Sequence, residues 1–389
     1  MITERRSRMI AMATAILMAA CLFFASSAAA RDHKGPVKIG GIFSVTGPAS
    51  FLGDPEKKSM ELAIDMINEN GGIDGRMLEA VIYDSEGDPS RAVRNAQRLI
   101  TRDNVIAIVG PSLTPTSLAV VPVAERANML LISCAAGNLI TDPIKPMVFK
   151  TAQSDIHAVG SIYAHMKKQG IKRVALMIQS DAFGESGRDQ LLKQAGDFGI
   201  EVVAQENFGI RDTDTTAQLT NIRRANPEAI ISWGTNPGPA VVARNVQQLG
   251  IDVPLYNSHG VASPRFIDLA GDSAEGILLP TGRILVADLL PEDDPQKKVL
   301  QDYISAYEAR YGETASSFGG YAFDGVNLLA EAMKGTGFDR NKIRDNLENT
   351  KDFVGISGTF TFSETDHNGL SPDAFVMVRI KNGTWTLVD

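Results

Sequence analysis

Short apolar runs alternate with segments of helical periodicity along most of this chain of 389 residues. Uninterrupted apolar runs are typical of buried parallel strands, and they predict strands at residues 37–43, 78–83, 105–109, 129–133, 173–178, 202–204, 229–233 and 276–279. Apolar positions three and four residues apart predict helices between them, for example at 91–100, 185–198 and 240–249. This alternation indicates an α/β fold whose parallel sheets carry helices on both faces.

The predicted strands are too many for a single sheet of usual size, which favours two doubly wound parallel-sheet lobes. Two long helices are predicted at residues 295–311 and 317–334. Residues 358–362 and 374–380 alternate apolar and polar side chains, as the strands of a half-exposed hairpin do.

The first predicted strand runs through a turn of small residues, 44–48, into a helix. Asp54 is a suitable N-cap for this helix, and Pro55 suits its first turn, where a missing N–H costs nothing. One buried face is predicted from the helical spacing of Met60, Ala63, Ile64 and Ile67.

The N-terminal thirty residues have the pattern of a signal peptide. A positive segment with three arginines precedes the apolar stretch 9–25, and the small residues 28–30 predict cleavage after Ala30. The alternatives are an uncleaved membrane anchor and a lipoprotein modified at Cys21, although Met18 fits the lipoprotein pattern poorly. No later segment is predicted to span a membrane.

Composition and charge exclude few functions. The chain is 44% hydrophobic and 22% charged, as an ordinary globular protein is, and its formal net charge of −8 disfavours a nucleic-acid partner. Cleavage after Ala30 would leave Cys134 as the only cysteine, so no internal disulfide is possible. Cys134 follows an apolar run and is predicted to be a small buried hydrophobe.

Motifs for catalysis, metal binding and cofactor binding are absent from the sequence. It contains no phosphate-binding loop, no nucleophile elbow and no zinc-binding helix, and its five histidines are scattered. We therefore expect no cofactor, no metal and no enzymatic activity, with an exported α/β enzyme kept as an alternative.

A series of short motifs, in order and at matching spacing, carries a family resemblance. It begins with the segment 37–75 and continues through Tyr83-Asp84, Asp88-Pro89, Ile108-Val109-Gly110-Pro111, Pro122-Val123-Ala124, Leu131-Ile132-Ser133, Asp181-Ala182-Phe183-Gly184, Gly260-Val261-Ala262 and Ala274-Glu275-Gly276. The mature chain resembles the periplasmic leucine/isoleucine/valine-binding proteins, which are the solute receptors of ABC importers, with their aromatic-acid-binding branch as one alternative.

The resemblance implies an organisation and partners. Two lobes would be joined by a three-crossing hinge, with residues 31–153 plus 282–354 in the N-terminal lobe and 154–281 plus 355–389 in the C-terminal lobe. The first crossing, 150–154, would follow the fourth strand. An inner-membrane ABC permease would be the partner, and the receptor would be monomeric. A ligand sensor would have the same sequence pattern.

Loops at the carboxyl ends of predicted strands are the candidate binding site, because open α/β sheets bind ligands there. Thr114, Pro115 and Thr116 follow one such strand and open a helix, so their hydroxyls and the helix N–H groups would suit an anion. The alternative is plain capping by Thr114, with Pro115 at the first helical position.

Other site residues are implied by the resemblance. Ala135 would offer its carbonyl to a ligand ammonium, while Gly137 stands where the family has a threonine. Phe183 and Thr235 replace two cleft tyrosines, and Asn236 adjoins the second. The apolar side chains of Phe51 and Leu52 would wall the cleft. Trp233 could stack on a ligand, although strand alternation favours packing in the core.

His259 is the departure that bears on the ligand. It stands where amino-acid binders of the family carry a glutamate for the ligand's ammonium, and an imidazole supplies no negative charge. A buried ammonium without a counter-ion would be costly, so we predict a carboxylate without an ammonium, either an aromatic acid or a 2-oxo acid. The alternatives are a branched-chain or other hydrophobic amino acid, and a surface-loop histidine without a ligand role.

Overall fold

The computed structural model describes residues 35–388. Its strands are β1 (Val37–Phe43), β2 (Leu78–Asp84), β3 (Ala107–Val109), β4 (Leu130–Ser133), β5 (Val148–Lys150), β6 (Arg173–Gln179), β7 (Glu201–Phe208), β8 (Ala229–Trp233), β9 (Leu255–Asn257), β10 (Leu278–Thr281), β11 (Phe353–Val354), β12 (Thr359–Phe360), β13 (Val376–Lys381) and β14 (Thr384–Leu387). Its α-helices are α1 (Ser50–Glu69), α2 (Pro89–Arg98), α3 (Thr114–Arg126), α4 (Asp155–Lys168), α5 (Ala182–Phe198), α6 (Thr216–Arg224), α7 (Gly238–Gln248), α8 (Pro264–Ala270), α9 (Pro295–Tyr311), α10 (Ser317–Met333) and α11 (Arg340–Glu348).

The strands form two main sheets, which confirms the α/β class. The first sheet has five parallel strands in the order β2-β1-β3-β4-β5. The second has seven strands in the order β14-β13-β10-β9-β8-β6-β7, of which β13 and β14 run antiparallel to their neighbours. In both sheets an early strand lies inside the sheet, and the following strands are added on both sides of it, as in doubly wound folds.

The chain returns to the first sheet after β10. Helix α9 packs on α1, where Tyr303 and Ser59 share a hydroxyl–hydroxyl hydrogen bond of 2.8 Å. Helix α10 packs along α1 over a long contact, with Phe51 and Phe318 edge to face at 5.5 Å between ring centroids. The predicted lobe boundaries remain a prediction.

Several predicted elements have the predicted bounds, and others differ. The bounds of β1, β8 and α9 are those predicted from the sequence. The short strands β5 and β9 were not predicted, and because β5 ends at Lys150 the predicted crossing follows the fifth strand instead of the fourth. Both are three-residue strands, too short to give a periodic signal.

The predicted start of α1 was wrong. The helix begins at Ser50, so Pro55 lies inside it and Asp54 does not cap it. Asp54 instead makes an ion pair of 2.7 Å with Lys58. The apolar side chains of Phe51 and Leu52 pack inward from this extra turn, and their burial explains why the helix extends upstream.

The predicted C-terminal hairpin was also wrong. The strand β12 pairs with β11, whereas β13 pairs with β10 and β14. The segment between β12 and β13 is held by Phe362, which packs on Phe149 with 5.3 Å between the ring centroids. Alternation correctly marked half-exposed strands, but it carries no information about which strands pair.

No helix in residues 35–388 is long and apolar enough to cross a membrane. The predicted signal peptide, its cleavage after Ala30 and the lipoprotein alternative at Cys21 lie outside the described residues.

Candidate functional site

A small cavity of about 30 Å³ lies between the carboxyl ends of the two sheets. On one side are the loops after β3 and β4, and on the other are the loops after β6, β8 and β9. Six of the predicted site residues line it: Leu52, Thr114, Ala135, Phe183, Thr235 and His259. The lining residues that were not predicted as site residues are Ser112, Leu113, Cys134, Ala136, Ala152, Gly260, Phe318 and Tyr321.

The other five predicted residues lie close by without lining the cavity. Phe51 packs on Phe318, and Pro115 and Thr116 lie within the first turn of α3. Gly137 and Asn236 each directly follow a lining residue, Ala136 and Thr235. Their roles as ligand contacts remain predictions.

A larger groove of about 340 Å³ lies elsewhere on the second sheet. It is lined by the segments 250–254 and 272–277, which precede β9 and β10. These are the amino ends of the strands, whereas open α/β sheets bind ligands at the carboxyl ends. The small cavity is therefore the candidate site.

The first wall of the cavity consists of residues 112–114 and 134–136. Ser112 is held from two directions: its hydroxyl oxygen accepts from the Ser44 N–H at 3.0 Å, and its O–H donates to the carboxyl of Glu56. Glu56 is fully buried, and burial raises the pKa of this carboxyl well above its usual range. The Ser112 hydroxyl is thus fixed in orientation before any ligand arrives.

Thr114 fastens the two loops of the first wall to each other. Its hydroxyl oxygen accepts from the Gly137 N–H at 3.2 Å. A Cβ at position 137 would collide with the Thr114 side chain, so only glycine permits this approach. The threonine that the family resemblance places here would not fit beside Thr114.

The capping prediction for α3 was wrong by one residue. Thr114 is the first residue of the helix and Leu113 is its N-cap. The Leu113 N–H donates to the Thr116 hydroxyl at 3.3 Å, and that hydroxyl donates to the Leu113 carbonyl at 2.9 Å. Thr116 therefore satisfies the helix start and leaves Thr114 free for its contact with Gly137.

The second wall consists of Phe183, Thr235, His259 and Gly260, and it is largely aromatic. The ring of His259 contacts those of Phe183, Trp233 and Phe375 at centroid distances of 5.7, 6.0 and 5.3 Å. His259 is only 3% exposed, so the surface-loop alternative was wrong. Trp233 is fully buried and does not line the cavity, so it belongs to the core.

His259 is neutral at physiological pH. Burial, followed by the nearby positive charge of Lys150, lowers the pKa of its imidazole to about 3. The surrounding rings exclude water from a cation, so the charged form of this side chain is unfavourable.

Many polar atoms around the second wall have no hydrogen-bond partner in the described part of the chain. They include both ring nitrogens of His259, both amide atoms of Asn236 and of Asn257, the Ser232 hydroxyl and the indole nitrogen of Trp233. Buried polar groups are normally paired, so this concentration marks a place where a further partner belongs.

Two buried charged residues flank the cavity where the chain leaves the first sheet. Lys150 ends β5, and its Nζ donates to the carbonyl of Ala136 at 2.7 Å. Asp155 opens α4, and its Oδ1 lies 3.9 Å from His259 Nε2. Burial lowers the pKa of Lys150 and raises that of Asp155, while attraction between the opposite charges opposes both shifts.

Sequence reasoning missed Asp155, Phe318 and the lining role of Cys134. Asp155 follows the first crossing by one residue, and this position was the available signal. Phe318 lies far along the chain in α10, where apolar periodicity predicts core packing. Cys134 is a free, buried thiol, and burial raises its pKa, as expected for a small hydrophobe. Within residues 35–388, no cluster of His, Cys, Asp and Glu could hold a metal ion.

Comparisons with known proteins agree with this fold. The chain is 28% identical over 367 residues to the "Leucine-, isoleucine-, valine-, threonine-, and alanine-binding protein" of Pseudomonas aeruginosa, covering 93% of this chain and 92% of that one. It superposes with a TM-score of 0.85 on an extracellular ligand-binding receptor from Rhodopseudomonas palustris HaA2, at 28% identity over 91% of this chain and all of that one.

A second similar solved structure contains a bound amino acid. It is the branched-chain amino acid transporter substrate binding protein of Streptococcus pneumoniae in complex with isoleucine, with a TM-score of 0.80 and 28% identity over 90% of this chain and 97% of that one. The family of periplasmic binding proteins matches residues 36–384, nearly the whole described chain. Membership of this family implies a periplasmic location, and the chain belongs to the periplasmic binding proteins.

Proposed function

We propose that this chain is the solute receptor of an ABC importer and that it binds an aliphatic α-amino acid. The cavity between the two sheets carries the proposal, because it joins apolar side chains to a few fixed polar groups, as small-molecule sites do. The binding named for the relatives from P. aeruginosa and S. pneumoniae supports the same ligand class.

The first wall would hold the ligand's carboxylate. The hydroxyl of Thr114, whose O–H has no acceptor in the described part of the chain, and the first N–H groups of α3 would face the carboxylate, and the helix dipole favours an anion at that end. Leu52, Phe183 and Phe318 would surround the aliphatic side chain. Binding would draw the two lobes together by hinge bending, with the boundaries predicted from the sequence.

The remaining parts of the proposal follow from the family. The protein would be exported by a signal peptide cleaved after Ala30, act as a monomer and deliver its ligand to an inner-membrane permease. It would bind without catalysis.

A second candidate ligand is a carboxylate without an ammonium, such as a 2-oxo acid or an aromatic acid. The cavity lining contains no Asp or Glu among the described residues, and His259 is neutral. The cavity lining therefore offers no negative charge to balance an ammonium group, which favours a ligand without one.

Thermal unfolding of residues 31–389 against a ligand panel separates the candidates. The panel pairs leucine, isoleucine, valine, threonine and alanine with their 2-oxo acids and adds benzoate-type and hydroxycinnamate-type acids. A ligand at a hundred times its dissociation constant stabilises the folded protein by about 2.7 kcal/mol. Midpoint shifts with the amino acids are expected, and shifts with the acids alone would overturn the proposal in favour of the second candidate.

A further inference from the structure

The buried carboxylate of Asp155 lies next to the ring of His259, and the function proposed above gives it no role. Asp155 is fully buried, and the Ser186 hydroxyl is the one hydrogen-bonding group within residues 35–388 that faces its carboxylate. Its Oδ1 lies 3.9 Å from Nε2 of His259, whose ring lines the cavity. A buried carboxylate with a single hydroxyl partner is costly, so its position beside the imidazole calls for an explanation.

The other charged groups near Asp155 have hydrogen-bond partners of their own, although Lys150 also attracts Asp155 by its charge. Lys150 donates to the carbonyl of Ala136. Asp181, on the loop before α5, accepts from the Gly184 N–H at 2.8 Å and from the Gln179 side chain at 2.5 Å. The hydroxyl of Ser186 also faces Asp155, and its oxygen accepts from the Asn138 N–H at 3.1 Å. A single hydroxyl can serve one carboxylate oxygen, which leaves the other for His259.

A carboxylate at this position selects one tautomer of the histidine. A neutral imidazole has one N–H and one nitrogen lone pair. Because a carboxylate only accepts hydrogen bonds, Asp155 favours the proton on Nε2, and Nδ1 then becomes an acceptor. A displacement of about 1 Å would bring Oδ1 and Nε2 to hydrogen-bonding distance.

We propose, on the basis of the amino-acid receptor function above, that Asp155 holds His259 in its Nε2–H tautomer so that Nδ1 accepts a hydrogen bond from the ligand's ammonium group. His259 is then the ligand contact, and Asp155 is a positioning residue that determines specificity. An α-amino acid donates to Nδ1, whereas the keto oxygen of a 2-oxo acid is itself an acceptor and is repelled by the lone pair. The pair thereby takes over the task of the glutamate that the family resemblance places at position 259.

The tautomer can be measured without any ligand. In protein labelled with ¹⁵N-histidine, the nitrogen shifts of His259, assigned by their loss in His259→Gln, report which ring nitrogen carries the proton. The proposal expects Nε2–H in the wild type and a shift toward Nδ1–H in Asp155→Asn. An Nδ1–H tautomer in the wild type would overturn the proposal even if the variant fails to fold.

Binding supplies the second readout. A hydrogen bond to a charged group is typically worth a factor of at least about ten in affinity. Asp155→Asn should therefore weaken binding of leucine about tenfold and change binding of 4-methyl-2-oxopentanoate less than about twofold. An unchanged tautomer in Asp155→Asn, or equal losses for the two ligands, would overturn the proposal.

Asp324→Asn is the matched control. Asp324 is also fully buried, but it accepts from the backbone N–H groups of Ile356 and Ser357, both at 2.7 Å. This variant should lose stability and leave the tautomer of His259 unchanged. Failure of the amino-acid function is a separate result, since it would appear as absent amino-acid shifts in the wild-type panel.

Discussion

The two walls of the cavity differ in how their polar atoms are paired. On the first wall, Ser112 and Thr114 have hydrogen-bond partners within the protein. On the second wall, both nitrogens of His259 lack partners in the described chain, as do both amide atoms of the adjacent Asn236. The polar groups of the first wall are therefore already oriented, whereas those of the second wall would gain their hydrogen bonds on binding in the function proposed above.

This difference suggests an order of events. A ligand would dock first on the wall whose groups are already oriented, because no reorganisation is needed there. The second wall would then close over it, and the pairing of its polar atoms would favour the closed form. The free energy of closure would come from the second wall and the affinity of the open form from the first.

The largest expected effect is the pH dependence of stability contributed by His259. The folded protein keeps this imidazole neutral down to a pKa of about 3, while the unfolded chain takes up a proton below about pH 6.5. Stability should thus fall as the pH falls, by about 1.4 kcal/mol per pH unit, or about 2–3 kcal/mol at pH 4.5.

Urea unfolding of wild type and His259→Gln between pH 7 and 4.5 measures this contribution. The buried carboxyls Glu56 and Asp324 have raised pKa values, so they act in the opposite direction in both proteins and cancel in the difference. Equal pH slopes for the two proteins would contradict the buried, neutral state of His259.

The second-largest effect should be the loss of unfolding free energy when a hydrogen-bonded hydroxyl is removed from the first wall. Ser112→Ala leaves the Glu56 carboxyl and the Ser44 N–H without their partner, which should cost about 1–3 kcal/mol of unfolding free energy. Ser161→Ala is the control, since the Ser161 hydroxyl donates only to the carbonyl one turn earlier in its own helix. If both variants unfold at the same urea concentration, the first wall is not preorganised as described.

A matched pair of threonines compares the walls directly. Thr114 accepts from the Gly137 N–H at 3.2 Å, whereas Thr235 accepts only a long contact of 3.4 Å from Gln179. Thr114→Val should cost about 1 kcal/mol in urea unfolding, and Thr235→Val only a few tenths. The reverse order would remove the distinction between the walls.

The smallest effect should have the opposite sign. Asn236→Leu replaces two unpaired buried amide atoms with an alkyl group of similar shape, so it should raise the unfolding free energy by up to about 1 kcal/mol. The same change should reduce the ligand-induced shift of the unfolding midpoint. A loss of stability would mean that the amide is paired in solution.

The sequence predicted the bounds of the strands and helices better than it predicted which strands pair with each other. Long apolar runs such as β1 and β8 had the predicted bounds, because burial on both faces leaves a continuous signal. The partners of β12 and β13 could not be predicted. The chain between these two strands is placed by Phe362, which packs on Phe149, a residue far away in the sequence.

The sequence indicated the loops that line the cavity, but it did not indicate the buried residues that lie next to them. Thr114 was predicted from its place at a strand end, because parallel strands bring their carboxyl ends to one edge, and Ala135, Thr235 and His259 were implied by the family resemblance; all four line the cavity. Asp155 could not be placed behind His259, because their proximity depends on the fold and on no local pattern. The neutral state of the histidine likewise follows from three aromatic rings that are remote in sequence.

Calorimetric titration of residues 31–389 with leucine and with 4-methyl-2-oxopentanoate tests the central claim most directly. The two ligands share their carboxylate and side chain and differ only in the group that faces the second wall. The account predicts that leucine binds at least about ten times more tightly, a difference of about 1.4 kcal/mol. Tighter binding of the oxo acid would contradict it and would mean that His259 selects against an ammonium group.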